Sequence, residues 1–236
     1  METMNADNGG VIRTSAGYSY NKGWNILWKC FIELLVVTII YSIIQIPTGM
    51  IRFDVDELDE IHKLAWMFVP IVFFGIAYAV FIAGPIGYSV KWVFLKAVRG
   101  QKIEIKDMFA VFNRNYWNAV IASLVTGVII IFGLIMLIFP GIIFACRLAF
   151  VPYLVIDRKM ETMEALKTSW EMTKGHAWSI FFIGLLAIPI FLAGFIMLFF
   201  GVFISVMWIG VAFAVIYHHV CLKRGEGLPV EQEVVS

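Results

Sequence analysis

Apolar residues run along this chain in long blocks, with almost every charge gathered between them. Six blocks stand out, at residues 24–46, 65–90, 117–139, 141–156, 178–200 and 201–221. A helix needs about 20 mostly apolar residues to cross a bilayer core of roughly 30 Å at about 1.5 Å per residue. The blocks therefore predict an all-α polytopic membrane bundle of six transmembrane helices. Block 141–156 is the shortest and carries Arg147.

The last four blocks would be two long helices if nothing interrupted them. Pro140-Gly141 and Phe200-Gly201 fall at the two joins, and Gly and Pro are the usual residues of tight reversals. The pattern thus predicts hairpins. Trp24, Trp28, Trp66, Trp92, Trp117, Trp178 and Tyr217 cluster near the block ends, where amphipathic rings sit at headgroup level.

Three units of polar lead-in, apolar helix, reversal and apolar helix follow one another. Their first helices open KGWNILWKCFIELLV from Lys22, RNYWNAVIASLVTGV from Arg114 and GHAWSIFFIGLLAIP from Gly175. Between blocks, residues 162–173 place Met163, Leu166 and Trp170 at helical spacing with charges around the other face. This predicts an amphipathic helix lying in the membrane interface, ended by Gly175 with Lys174 at the negative end of its dipole. A second lead-in, residues 107–113, presents Met108, Phe109 and Phe112.

Charge sets the orientation. Arg13, Lys22, Lys91, Lys96, Arg99, Lys102, Lys106, Arg114, Arg158, Lys159, Lys167, Lys174, Lys223 and Arg224 all fall on one side of the six blocks. The other side receives Arg52 and Lys63 within an acidic loop, then two reversals without charge. Basic residues near span ends stay in the cytoplasm, so both termini are expected inside. Residues 1–23 read as a polar lead-in without the apolar core of a secretory signal. Residues 24–221 read as the membrane domain, and 222–236 as a flexible cytoplasmic tail.

Composition agrees: 61% of residues are hydrophobic and 15% charged, against roughly 45–50% and 25% in soluble domains. A formal net charge of +1 gives no ground for a nucleic-acid partner. Cys30, Cys146 and Cys221 are widely spaced within or beside apolar blocks, which suits neither a disulfide framework nor a close-spaced metal motif.

Ionisable groups inside a membrane are the first candidates for function. Glu33 lies nine residues into the first block, and Arg147 lies six residues past Pro140-Gly141. Similar depths predict an ion pair between the first and fourth helices, serving either as a structural lock or as a transport site. Thr38, Ser42 and Gln45 share a helical face that would line a polar path or bond between helices. His218, His219 and Cys221 lack the convergence zinc requires. Asp54, Asp56, Glu57, Asp59 and Glu60 lack the spacing of a calcium loop. Gly75-x-x-x-Ala79, Ala83-x-x-x-Gly87 and Gly210-x-x-x-Ala214 would let helix backbones approach. No nucleophile with a base, and no set of metal-binding acids, shares one face, so no cofactor and no enzymatic activity are expected.

One stretch, VPYLVIDRKMETMEALKTSWEMTKGHAW, carries Pro152, Asp157, Ala165, Leu166, Ser169, Trp170, Lys174, Gly175 and Trp178 in order. It resembles the membrane domain found with some bacterial glycerophosphodiester phosphodiesterases and related multi-pass proteins. The match is best over residues 139–186. In such enzymes hydrolysis resembles the work of a separate soluble barrel, for which this chain has no room, so no catalytic residue carries over. The resemblance implies a bacterial inner-membrane protein concerned with the envelope, lipids or a partner protein. The expected function is a non-enzymatic scaffold or lipid-associated module, facing anionic lipids of the cytoplasmic leaflet through residues 91–106, alone, with a membrane partner or as a homo-oligomer. The alternative is a small transporter or channel with a polar site near Glu33 and Arg147.

Overall fold

The computed structural model describes residues 16–49, 70, 73–136, 138–196 and 200–225. Helices form almost all of them: α1 (Ala16–Lys29), α2 (Phe31–Gly49), α3 (Phe73–Val98), α4 (Tyr116–Met136), α5 (Ile138–Arg147), α6 (Val151–Asp157), α7 (Thr162–Met172), α8 (Ala177–Ile196) and α9 (Phe200–Lys223). A short 3-10 turn, Ile105–Phe109, and one helical turn, Ala110–Arg114, join α3 to α4. Five stretches are long and apolar enough to cross a membrane: α3, α4, Pro140–Asp157, α8 and α9. The pair α1 and α2 makes a sixth if it counts as one span. This is the make-up of a multi-pass membrane protein.

The first predicted span is not one straight helix. α1 and α2 meet at 96°, although Lys29, Cys30 and Phe31 include no Gly or Pro. The reason lies in the two faces of α1. Ala16, Ser19, Tyr20, Gly23 and Leu27 are buried at roughly one-turn intervals, while Asn21, Asn25 and Lys29 are exposed. That exposed face also carries Tyr18, Trp24 and Trp28. Such a mixture of polar and aromatic side chains suits a membrane interface, whereas α2 is apolar enough to enter the bilayer. Tertiary bonds hold α1 down: the Tyr20 hydroxyl donates to the Ile183 carbonyl at 2.8 Å, and the Trp208 indole donates to the Tyr20 carbonyl at 2.8 Å.

α3 extends eight residues past the predicted end at Val90, so Lys91 and Lys96 belong to the helix and not to a basic loop. Within it, Pro85 cannot donate to the carbonyl of Phe81 one turn earlier. The chain widens to a π turn over Ala79–Ala83, and the Tyr116 hydroxyl donates to the orphaned Phe81 carbonyl at 2.8 Å. α3 then ends in a Schellman motif. Gly100 adopts φ +69°, its N–H bonds to the Ala97 carbonyl, and that of Gln101 bonds to the Lys96 carbonyl. Glycine takes this left-handed backbone without the penalty a side chain would meet.

Pro140-Gly141 does not form the reversal expected there; it lies inside α5. Glycine is needed for close approach instead, since a Cβ on Gly141 would lie 2.7 Å from the Leu134 backbone nitrogen. Gly194 and Gly201 repeat the device: a Cβ on Gly194 would lie 2.5 Å from the Gly201 carbonyl oxygen. Gly210 lets the Phe94 ring reach α9, with a hypothetical Cβ only 2.6 Å from that ring. α9 is the central element, burying Met207, Val211, Ala212, Ala214, Val215, Ile216 and Tyr217.

Residues 140–157, close to the fourth predicted block, form a broken span, with α5 and α6 separated by a turn at 148–150. Pro152 explains the break, because it lacks the N–H that would bond to the Leu148 carbonyl. Every residue of α6 is buried. α7, predicted to lie in the interface, packs on α6 and α4 through Ala165, Leu166, Ser169 and Met172, and leaves Met163 64% exposed.

Candidate functional site

Among the described residues, a buried charged cluster lies where α3, α6 and α9 converge. The Schellman turn places Arg99 at the end of α3, where its Nη1 and Nη2 donate to Oδ1 and Oδ2 of Asp157, each at 2.6 Å. The side chains are 4% and 1% exposed. The Tyr217 hydroxyl donates to Oδ2 of the same carboxylate at 3.2 Å. Tyr153 stacks on Tyr217 with centroids 4.8 Å apart, Phe150 meets that ring edge-on, and Trp92 lies 5.8 Å from the Arg99 guanidinium. Asp157, from the family-like run, thus has three donors on its two oxygens. Arg99 Nε is buried without a partner. A parallel two-bond fork is the strongest arrangement open to Arg and a carboxylate, and the aromatic wall keeps it dry.

A second polar junction sits at the break between α5 and α6. The Val151 N–H bonds to the Leu148 carbonyl, so the Arg147 carbonyl loses its normal helical donor. The Ser169 hydroxyl of α7 supplies one at 2.7 Å, with the Thr173 hydroxyl at 3.5 Å. The Arg147 guanidinium lies 5.2 Å from the Trp170 ring, and its Nε and Nη1 are buried without hydrogen-bond partners. Pro152, Asp157, Ala165, Leu166, Ser169 and Trp170 therefore form one packed unit around α6. Gly175 takes φ +82° just beyond α7, Lys174 is exposed, and Trp178 is 73% exposed at the start of α8.

The predicted Glu33–Arg147 pair is not formed: no ion pair joins these residues. Because the first span breaks at Cys30, Glu33 lies in the first turn of α2 and is exposed. There it complements the positive end of the helix dipole. Arg147 lies in the last turn of α5, favourable for a cation on the same ground. Thr38 and Ser42 donate to carbonyls of their own helix, and Gln45 donates to the Tyr41 hydroxyl. The Thr38 and Ser42 bonds are thus spent within α2, while Thr38 also borders the central cavity. Among the described residues no group of His, Cys, Asp and Glu could hold a metal ion. The acidic residues Asp54, Asp56, Glu57, Asp59 and Glu60, and the start of the second predicted block at 65–72 apart from Pro70, lie outside the described residues.

A cavity of about 780 Å³ is bordered by residues of α2, α3, α4, α5, α6, α8 and α9. Its walls are mostly aliphatic and aromatic, among them Phe94, Ile142, Ile180, Leu185, Ile209 and Phe213. Thr38, Tyr41, Tyr153 and Lys91 are lining residues with polar side chains, and Lys91 is the one charged residue in the lining among the described residues. Neither Glu33 nor Arg147 reaches it.

Sequence reasoning missed Arg99 as the partner of Asp157, and Lys91 as a cavity residue. The Arg-Gly step at 99–100 was a usable sign of a helix end, but nothing local shows which carboxylate a helix-end arginine will meet 58 positions later. No family model, curated protein or solved structure matches the chain.

Proposed function

We propose that this chain is a non-enzymatic, lipid-associated scaffold of a bacterial cytoplasmic membrane, spanning it six times in three hairpins with both ends inside. The observation that carries this reading is the closed Asp157 site. The bidentate arginine, the tyrosine hydroxyl and the aromatic wall leave the carboxylate no free path to water. A proton or ion relay needs a chain of exchangeable groups, and transporters place theirs at broken helices lining a polar space. Here the break between α5 and α6 borders the central cavity through Leu148 and Ala149. The walls are mostly apolar and carry a single charged side chain, Lys91, among the described residues, too few exchangeable groups for a relay. The ordered run from Pro152 to Trp178 supports kinship with the phosphodiesterase-associated membrane domains.

The test is reconstitution. In liposomes under a pH gradient or a cation gradient, the protein is expected to add no flux to that of empty vesicles, and after extraction in native nanodiscs to retain anionic lipid above its share of the membrane. A flux that disappears on Glu33→Gln or Arg147→Gln would replace the scaffold with the transporter.

A further inference from the structure

We infer that the central cavity is a binding site for an anionic amphiphile, an aliphatic chain whose carboxylate or phosphate head is held by Lys91. The inference deepens the lipid-associated reading and rests on it.

Lys91 lies eight residues inside Arg99 along α3, about 12 Å along a helix. Gly87, Val90 and Phe94, its neighbours at helical spacing, line the same space, so this face of α3 is turned to the cavity. Lys91 retains exposed surface and makes no ion pair or hydrogen bond with any described residue. A lone ammonium among apolar walls is expensive unless paired. Its stem runs along the apolar lining while its side chain stays accessible, so the ammonium can meet an anionic head whose hydrocarbon chain occupies the cavity.

The rest of the lining fits the same head. The Tyr41 hydroxyl accepts from Gln45 at 2.6 Å and keeps its own proton to donate, and Tyr153 brings a second phenol to the wall. No carboxylate lines the cavity among the described residues, so its one formal charge is the Lys91 ammonium, which an anion complements. The remaining walls suit a hydrocarbon chain, and about 780 Å³ falls within the roughly 300–1,000 Å³ of small-molecule sites. Gly184 adds a handle: a Cβ built there meets nothing within 4 Å, so a larger side chain fills the cavity without displacing backbone.

The protein in phosphatidylcholine nanodiscs is titrated with oleate, oleoyl-lysophosphatidylglycerol or monoolein, and retained copies are counted by native mass spectrometry. Wild type is expected to hold one copy of an anionic probe at least about tenfold more tightly than monoolein, the scale of one charge-assisted bond. Lys91→Gln should abolish that preference while leaving monoolein uptake unchanged, and Lys91→Arg should keep it. Gly184→Leu should weaken all three probes, and Lys102→Gln, on the surface, none. Preference for oleate alone assigns a carboxylate head, for the lysolipid alone a phosphate head, and for both their shared charge. Thermal unfolding checks that each variant is folded; if Lys91→Gln is not, Lys91→Met and Gly184→Leu decide. A preference that survives Lys91→Gln, or uptake indifferent to Gly184→Leu, overturns the site. If wild type holds no probe yet enriches anionic lipid on extraction, the cavity site falls and the scaffold reading stands; if it does neither, both fall.

Discussion

Breaking the Arg99–Asp157 pair is the most informative perturbation of the fold. Asp157→Asn leaves a buried guanidinium facing an amide, and Arg99→Met leaves a buried carboxylate with only Tyr217 to donate to it. Removing one partner of a buried pair costs about 3–5 kcal/mol, because the survivor is an uncompensated charge, whereas replacing both by apolar groups of similar size is often neutral. The double variant Arg99→Met/Asp157→Leu should therefore be destabilised by less than the sum of its singles, with a coupling of at least about 2 kcal/mol. Tyr217→Phe removes one hydrogen bond to a charge and should cost about 1.5–3 kcal/mol. Arg99→Lys cannot reproduce the fork and should fall between the two. The assay is reversible unfolding in mixed micelles under increasing SDS, followed by tryptophan fluorescence. Single and double effects that add to within about 0.5 kcal/mol would show that the two side chains do not act as a pair.

Ser169→Ala leaves the Arg147 carbonyl with only the 3.5 Å contact from Thr173 and should cost about 1–3 kcal/mol in the same assay, with no change for the exposed neighbour Lys167→Gln. Gly141→Ala should destabilise by about 1–3 kcal/mol, because its Cβ meets the Leu134 backbone, while Gly184→Ala should stay within about 0.5 kcal/mol of wild type. Glu33→Gln and Arg147→Gln should be additive to within about 0.5 kcal/mol; a larger coupling would restore the pair that the bend at Cys30 separates. Cysteines replacing Lys102 and Lys167 should be labelled only after permeabilisation of intact cells, and a cysteine at Asp56 from outside; external labelling at Lys102 would invert the orientation drawn from the basic residues.

Helix content and most helix positions were legible in the sequence, because the hydrocarbon core acts on every residue of a span independently of its neighbours. Residues 117–139, 178–200 and 201–221 were anticipated to within a few positions as Tyr116–Met136, Ala177–Ile196 and Phe200–Lys223. Asp157 and Ser169 stood in an ordered run of the sequence, but nothing in that run indicated the bonds they make. What the tertiary structure decided is where polar groups find partners. A one-dimensional depth rule set Glu33 and Arg147 level, yet a 96° bend with no breaker residue moved Glu33 to a helix start. Pro140-Gly141 looked like a turn, and instead glycine there serves a contact with Leu134 across the reversal. The fork on Asp157 joins residues 58 positions apart, and Lys91 lines a cavity bordered by seven helices. Spans are selected one at a time by transfer into lipid, so each is written locally; buried charges and cavities exist only once several spans pack, so their partners are written in no single stretch of the chain.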